Sequence, residues 1–304
     1  MSVDRPTKGH RPAKTYRPTK GYRAFRGANA VILSVVVAVT LYPFVNIIAR
    51  SFSGERQIRA GEVTLWPKGF NLTTYRLVFQ DSMFWRNYGN TVLYTVVSTV
   101  VAMVLTTCYA YVLSKRQLRG RTALIGIAVF TMFFTGGLIP NYVLVTSLGL
   151  KNSIWAIALP NAISVFNLLV MKAFFESLPT DLEEAAQIDG LSTYGILLRI
   201  VLPLSKAVVA TMVLFYSVSF WNSWFSAFLY LDRADLMPVT VYLRNMITGA
   251  TGGTNAGAGT DQLSQVGANI QSVTIILTAL PILCVYPFVQ RYFVKGVMLG
   301  SVKG

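Results

Sequence analysis

Long apolar runs separated by shorter polar segments dominate this chain. Six of the runs have the roughly 17–25 residues that an α-helix needs to cross the hydrocarbon core of a bilayer. They cover residues 28–49, 91–113, 123–145, 154–171, 207–231 and 273–293. The only charged residue inside any of them is Arg291, near the end of the last. The pattern predicts an all-α integral membrane protein with six transmembrane helices.

The cations that flank these runs predict the orientation of the chain. Lys and Arg concentrate on the cytoplasmic side of membrane proteins. Residues 5–26 contain eight of them, the loop 114–122 contains four, and the C-terminal end contains three. Six spans place these segments on one side, so we expect an N-in, C-in protein in a bacterial cytoplasmic (inner) membrane. The loop between the first two runs also carries six cations and is the exception to this asymmetry.

Interruptions are predicted inside several of the spans. Gly136, Gly137 and Pro140 lie in the third run, and Pro160 lies in the fourth. Proline removes a helical hydrogen bond and kinks or breaks the helix. Such breaks are tolerated in a membrane where they line a cavity or are buried by other helices. Both readings stay open at this stage.

Composition narrows the classes of function. Hydrophobic residues make up 53% of the chain, charged residues 13%, and the formal net charge is +15. In a soluble protein that charge would suggest nucleic acid. In so apolar a chain we expect the cations to meet anionic lipid headgroups instead, and we expect no nucleic-acid partner. The basic segment 1–27 repeats Arg-Pro-x-Lys at a period of six. It is expected to be a disordered cytoplasmic tail, with the membrane domain in 28–304.

Sites for cofactors are not predicted in this chain. Two cysteines and one histidine give no cluster of metal ligands. The glycine-rich segment 249–260 lacks the Lys-Ser/Thr ending of an ATP-binding phosphate loop. We expect any ATP and Mg²⁺ to be bound by other chains.

The segment 172–206 has features that the other loops lack. Thr180 and Glu183 stand at the spacing of a capping box and predict the start of a helix. Gly190 predicts its end in a left-handed conformation. Ser192 predicts the cap of a second short helix that Pro203 closes. Four residues are expected to form one short apolar face: Leu182, Ala185, Ala186 and Ile188.

Several residues of this segment match a known motif. Glu184-Ala185-Ala186 is followed by Asp189-Gly190 and then by Leu202-Pro203. This arrangement resembles the EAA loop of binding-protein-dependent permeases of ATP-binding-cassette (ABC) importers. The resemblance extends to Asn90-Thr91 at the start of the second run. It also includes 221–224, which is similar to the carbohydrate branch, and 286–304, which is similar to a sub-branch associated with alginate or aldouronate fragments.

The resemblance implies a fold, partners and a mechanism. It implies a type I importer permease with its core at 90–295 and a coupling loop at 172–206. A second, homologous permease subunit, two ATPase subunits and an extracytoplasmic solute-binding protein would be its partners, and a sugar or oligosaccharide its cargo. It assigns contact with the ATPase to this loop. The expected coupling residues are Thr180, Glu183, Glu184, Ala185, Ala186, Asp189, Gly190, Leu202 and Pro203.

A substrate path is predicted in the fifth run. Ser219, Asn222, Ser223 and Ser226 recur at helical spacing beside Trp221 and Trp224. Sugars bind to polar groups that satisfy their hydroxyls and to aromatic faces that cover their apolar side. Asn141 and Tyr142, near the predicted break of the third run, are further candidates. Ser and Asn also join helices to each other in lipid, and Trp favours the membrane interface, so a packing role stays open.

Three other functions compete with sugar import. An ion-coupled secondary transporter usually carries ionisable groups within the membrane, and the six runs have none before Arg291. A membrane enzyme would need convergent acid–base groups, and only Asp232, Arg233 and Asp235 cluster. Import of a peptide or amino acid by the same kind of permease is the third alternative.

Overall fold

A computed structural model describes residues 20–251 and 267–297, and the regular elements in these two segments are all helical, which confirms the predicted class. The α-helices are α1 (Lys20–Ser51), α2 (Glu55–Arg59), α3 (Thr73–Gln80), α4 (Ser82–Ser114), α5 (Arg121–Phe133), α6 (Leu138–Ser147), α7 (Trp155–Ala158), α8 (Val165–Glu176), α9 (Thr180–Ile188), α10 (Thr193–Ile196), α11 (Leu202–Leu204), α12 (Lys206–Trp221), α13 (Trp224–Tyr230), α14 (Val239–Thr251) and α15 (Gly267–Val297). A π-helical turn covers Leu197–Val201 and a 3-10 turn covers Ala234–Leu236.

Helices of membrane-spanning length occur in two forms. Ala24–Ser51 within α1 and the whole of α4 are each long and apolar enough to cross a bilayer alone. Two bent pairs reach that length together: α5 and α6 meet at 113°, and the segment Thr193–Leu204 meets α12 at 88°. Within the described residues this gives up to four spans by length and composition. The count of six therefore stays a prediction.

The predicted interruptions of the third and fourth runs are confirmed. The third breaks between α5 and α6, where Gly137 has a φ of 85°. Pro140 follows in the first turn of α6, where no intrahelical partner is missed. The fourth run divides into α7 and α8, with Pro160 between them.

The fifth run was predicted as one uninterrupted helix, and this was wrong. The helix stops at Trp221 and restarts at Trp224. The amide of Asn222 donates to the carbonyl of Val218 at 2.9 Å, and the N–H of Trp224 turns back to the carbonyl of Asn222. Short polar side chains that bond to nearby backbone compete with the helical ladder, which accounts for the break.

The N-terminal boundary also differs from the prediction. Helix α1 begins at Lys20, so the last residues of the predicted tail 1–27 are helical, while 1–19 lie outside the described residues. Tyr22 and Phe25 extend the apolar pattern ahead of the run. Pro43 is accommodated inside α1 without ending it.

Helix α4 is the central element, and it packs on α8 and α12. Ser98, Ala102, Thr106 and Ala110 recur every fourth residue along it, and all four are fully buried. Small side chains on one face let helices approach closely in lipid. The face that the sequence indicates for packing is therefore used for packing.

Candidate coupling helix and substrate path

The start of α9 corrects one detail of the predicted coupling loop. Pro179 occupies the N-cap position and no side chain caps the helix, so Thr180 is its first residue and not its cap. The side chain of Glu183 forms an ion pair with Lys115 instead of turning back to the helix start. The predicted capping box is absent because the charge opposite Glu183, contributed by another segment, is the stronger partner.

The end of α9 agrees with the prediction. Gly190 has a φ of 80°. Its N–H donates to the carbonyl of Gln187, and the N–H of Leu191 donates to the carbonyl of Ala186, both at 3.0 Å. This pair of bonds is the Schellman motif, which satisfies the last carbonyls of a helix. Leu191 and Ala186 pack in the same hydrophobic cluster. The helix therefore ends abruptly and in a defined direction.

The two adjacent alanines of the motif differ in burial. Ala186 is buried in a cluster with residues of α4, α8 and α12. Ala185 and Glu184 are exposed, as are Leu182 and Ile188 at 44% and 87%. The predicted single apolar face is thus divided. Ala186 packs α9 against the rest of the chain. The larger outward face of α9, which carries both apolar and acidic side chains, is exposed.

Ion pairs tie α9 and α8 to the loop that follows α4. Besides its bond to Glu183, the Lys115 ammonium lies 4.1 Å from the ring centre of Tyr111. Glu176 at the end of α8 pairs with Arg121 and, at 2.9 Å, with Lys172. A groove of about 790 Å³ lies between this loop and α9. Its lining includes four of these groups: Tyr111, Lys115, Glu176 and Glu183.

A sharp turn connects the loop to the fifth run. The hydroxyl of Ser192 accepts a bond from the N–H of Gly195 at 3.3 Å, which confirms the predicted cap of α10. The π-helical turn then widens the helix just before Leu202 and Pro203. In a regular α-helix the ring of Pro203 would clash with the carbonyl four residues earlier. The helix ends at Leu204 and α12 begins at Lys206, turned by 88°.

The predicted stripe of the fifth run is divided by the break at 222–223. Trp221 is buried, and its Nε1 donates to the carbonyl of Thr278 at 2.9 Å. It lines an apolar pocket of about 290 Å³ with Tyr88 and Pro281. Ser219, Asn222 and Trp224 are exposed, and Ser223 is partly exposed. Trp221 therefore faces the protein interior, away from its predicted neighbours.

A second groove gathers residues from three of the interrupted runs. It measures about 380 Å³ and is lined by Asn141 of α6, by Pro160 and Asn161 of the break before α8, and by Ser226 of α13. Tyr142 stacks on Tyr230 beside it, with ring centres 6.1 Å apart. The breaks thus bring together polar groups that are far apart in sequence.

A tyrosine hydroxyl braces one of the breaks. The hydroxyl of Tyr216 accepts the N–H of Ser164 at 2.9 Å and lies 2.6 Å from the hydroxyl of Thr106. It satisfies a backbone donor that the interruption ahead of α8 leaves free. This role of Tyr216 could not be predicted, since a tyrosine in an apolar run carries no signal of its distant partner.

Charged residues at the other end of α4 are paired across loops. Asp232 pairs with Lys151 at 2.9 Å, and Asp235 pairs with Arg86 at 3.2 Å and with Arg233 at 2.7 Å. The hydrogen bond from Lys151 lowers the pKa of Asp232 below its usual value and raises that of Lys151. The cluster considered for acid–base chemistry is therefore engaged in loop contacts.

Two cations were missed as candidates. Lys115 was assigned only to the orientation of the chain, although Glu183 supplies a matching charge in the segment 172–206. Arg244 lies on α14 over the rings of Trp224 and Phe228. It is the only charged residue in 236–260. This isolation is the sequence signal that could have identified Arg244 as a candidate.

Comparison with known proteins agrees with this geometry. The family model described as "Binding-protein-dependent transport system inner membrane component" matches residues 83–299. Protein LplC of Bacillus subtilis is 42% identical over 91% of this chain and 94% of its own length. The polygalacturonan/rhamnogalacturonan transport system permease YtcP of the same organism is 41% identical over 88% of this chain and 93% of its own.

A solved structure has the same fold. It belongs to a bacterial ABC transporter involved in the import of the acidic polysaccharide alginate. The match has a TM-score of 0.82 and 32% identity, and it covers 92% of this chain and all of that one.

These findings define the class of protein. The chain belongs to the family of inner-membrane components of binding-protein-dependent transport systems. It is a membrane permease of the ABC transporter class and not an enzyme, and the family resemblance stated from the sequence is confirmed. The secondary-transporter and enzyme alternatives do not fit this family.

Proposed function

We propose that this chain is one of two permease subunits that enclose the path of a sugar or oligosaccharide into the cell. A binding protein outside the membrane would deliver the cargo, and two ATPase subunits would supply the energy. The observation that carries the proposal is α9, a short helix that ends abruptly at Gly190 and whose outward face is exposed. The carbohydrate cargo is supported by YtcP and by the alginate importer, which handle polysaccharides.

The two faces of α9 suggest how movement is transmitted. Glu184, Ala185 and Ile188 would insert into a groove on the ATPase subunit. Ala186 and the Glu183–Lys115 pair connect α9 to α4 and α8, so a displacement of the ATPase would move the bundle as one body. ATP and Mg²⁺ would be held by the partner subunits, since this sequence contains no phosphate-loop motif.

The topology that fits this role has six spans with both termini inside. Under it, α9 and the cations of 115–121 lie in the cytoplasm, and the loops with Lys151 and Asp235 lie outside. The charge distribution supports this orientation. Single cysteines in place of Gln187 and Asn152, introduced after Cys108 and Cys284 are replaced, should react with a membrane-impermeant thiol reagent from opposite sides.

The path itself would include the groove at the interrupted runs and the exposed residues beside it. Asn141, Asn161 and Ser226 offer hydrogen-bonding groups, and Trp224 offers an aromatic face. Asn222 and Ser223 precede Trp224 on the break between α12 and α13, and Ser219 lies in the last turn of α12. Tyr142 would shape the groove through its stack on Tyr230, and Trp221 would support α12 from within.

The experiment that tests the proposal is recovery of partner chains from membranes. Tagged protein is purified in mild detergent as wild type, Glu184→Lys and Gly190→Val, and bound proteins are identified by mass spectrometry. Gly190→Val forces a β-branched residue into a left-handed conformation at a cost of about 1–2 kcal/mol. No atom lies within 4 Å of the added Cβ, so only the backbone is strained.

Controls separate coupling from folding. Gly149 has a φ of 68° and an equally open Cβ position, but it follows α6 near the opposite end of the molecule. We expect Gly149→Val to retain the ATPase and Gly190→Val to lose it. Asn tolerates the left-handed region, so Gly190→Asn should retain it. Wild-type protein that inserts normally yet never recovers an ATPase would refute the proposal. Uptake of labelled peptide without oligosaccharide would refute its carbohydrate part alone.

A further inference from the structure

Arg244 forms an unusual surface feature with the aromatic residues of α13. Its guanidinium carbon lies 4.3 Å from the ring centre of Trp224 and 5.0 Å from that of Phe228. Trp224 is 37% exposed and Phe228 50%, and Arg244 is exposed as well. The three residues, which we call the Arg244 platform, therefore present a cation and aromatic rings together at one surface.

Three carboxylates at this end of α4 already have partners within the chain. Asp232 pairs with Lys151, and Asp235 pairs with Arg86 and Arg233. Asp81 caps α4 and accepts the hydroxyl of Tyr242. Among residues 20–251 and 267–297, no carboxylate forms an ion pair with Arg244 within 4 Å. Within this described part of the chain, the groups that face its positive charge are the two aromatic rings.

Stacking gives this guanidinium a defined orientation. Arginine laid on an aromatic ring keeps the N–H groups of its outer edge available, and that edge matches the two oxygens of a carboxylate. A lysine at the same place would offer a point charge without this geometry. The arrangement favours a planar anionic group over a neutral one.

The surroundings match a sugar rather than an isolated anion. Ser223 and Asn222 precede Trp224 directly at the break after α12. Hydroxyl and amide groups next to an exposed indole are the combination that binds a pyranose, with its polar rim bonded and its apolar side stacked. Here a cation stands beside that combination, contributed by the separate helix α14.

We propose that the Arg244 platform is a subsite for a carboxylate-bearing sugar unit, and that Arg244 selects acidic over neutral oligosaccharides. The proposal rests on the proposed function, since it assigns a cargo class to the same path. Arg244 would bind the carboxylate in bidentate fashion, and Trp224 would cover the apolar face of the ring.

The test uses the whole transporter, with its permease, ATPase and binding-protein partners, in sealed vesicles. Uptake is measured for uronic acid trisaccharides and for the same trisaccharides after their carboxyl groups are reduced to alcohols. The readout is the ratio of variant to wild-type uptake for each sugar, so that selection by the binding protein cancels. The variants are Arg244→Gln, Arg244→Lys and, as matched control, Arg233→Gln. Arg233 is an exposed arginine at the same end whose partner Asp235 keeps Arg86.

The expected result is a selective loss. Arg244→Gln should reduce uptake of the acidic sugar about tenfold or more, the size of a charge-assisted bidentate contact, and leave the neutral sugar within about twofold. Arg244→Lys should lie between, and Arg233→Gln should match wild type. Vesicles of phosphatidylcholine, with and without phosphatidylglycerol, should give the same ratio if the anion is the sugar and not a lipid phosphate.

Other outcomes would overturn the subsite. An equal loss for both sugars would assign Arg244 to packing against a partner subunit, and a loss that appears only with phosphatidylglycerol would assign it to lipid. Unchanged uptake of the acidic sugar by Arg244→Gln would show that Arg244 has no role in binding the cargo. If the wild type transports neutral but not acidic trisaccharides, the subsite is rejected and the proposed function as a sugar permease is retained. Wild type that carries peptides and neither sugar would reject both.

Discussion

At the Ser114 end of α4 the chain forms a compact knob, and at the Ser82 end it forms an open surface of interrupted helices. The knob is assembled from neighbouring residues: α9, its glycine stop and α10 follow one another within 25 residues. The open surface is assembled from segments that are distant in sequence, with Asn141, Asn161 and Ser226 meeting at one groove.

The difference between the two ends reflects what each is proposed to do. A helix that transmits force should keep one shape, and local hydrogen bonds provide that. A surface that meets a hydroxyl-rich cargo needs polar groups and exposed rings, and broken helices supply both without leaving unpaired backbone in lipid. Bonds such as that of Tyr216 to the N–H of Ser164 make those breaks tolerable.

The largest expected effect tests whether α9 truly has two independent faces. In Ala186→Asp a carboxylate replaces a side chain that is 4% exposed, and burying it unpaired should cost several kcal/mol. Ala185→Asp places the same group on the exposed side and should leave the melting temperature unchanged while ATPase recovery falls. Thermal unfolding in detergent measures the first effect and co-purification the second. Equal melting temperatures for the two variants would contradict the division of faces.

A smaller effect tests the brace at the interrupted helix. Tyr216→Phe removes the hydroxyl that accepts the N–H of Ser164 and contacts Thr106. Leaving this partly buried donor unpaired should lower the free energy of unfolding by about 1 kcal/mol. Tyr22→Phe, on the exposed start of α1, is the matched control and should have no effect. If both variants unfold at the wild-type temperature, the break does not depend on Tyr216.

The ion pair under α9 should contribute less to stability and more to coupling. Lys115 and Glu183 are partly exposed, so the pair should contribute at most about 1 kcal/mol. Lys115→Glu and Glu183→Lys should each lower the sugar transported per ATP hydrolysed, and the double swap should restore it. Exchanging Glu55 and Arg59, an ion pair on α2, is the control. A double swap as defective as the single variants would show that the pair itself is not needed.

The smallest expected effect concerns pH at the open end. Hydrogen bonding to Lys151 lowers the pKa of Asp232 from 3.8 and raises that of Lys151 from 10.5. The pair therefore stabilises the loops between these values, and the contribution is lost as pH falls through the lowered pKa or rises through the raised one. The difference in melting temperature between wild type and Lys151→Gln should be present near pH 7 and vanish as the pH falls through the lowered pKa of Asp232. A difference that persists in acid would point to packing instead.

Much of the knob could be predicted from the sequence because its signals are local. Gly190 and Ser192 act within four residues of themselves, and the small residues of α4 reveal a packing face through their spacing alone. The capping box at Thr180 failed for the opposite reason: Glu183 had a partner, Lys115, that lies 68 residues away.

The open end was predicted less well. Helical spacing placed Trp221 and Trp224 on one stripe, but the break at Asn222 turned one indole into the core and left the other at the surface. Helical spacing predicts which residues share a face only while the helix is continuous. After the two-residue interruption, the side chains of α13 no longer continue the faces of α12.

The sequence by itself determined that this is an all-helical membrane chain, that its third and fourth apolar runs are interrupted, and that 172–206 carries the EAA motif. These follow from hydrophobic length, proline and glycine chemistry, and residue spacing, which act along the chain. Only the tertiary structure decided which alanine of the motif is buried, that Lys115 opposes Glu183, and that Arg244 lies over Trp224. Such contacts join residues that pack together only after the bundle has formed, and no local rule specifies which distant segments will meet.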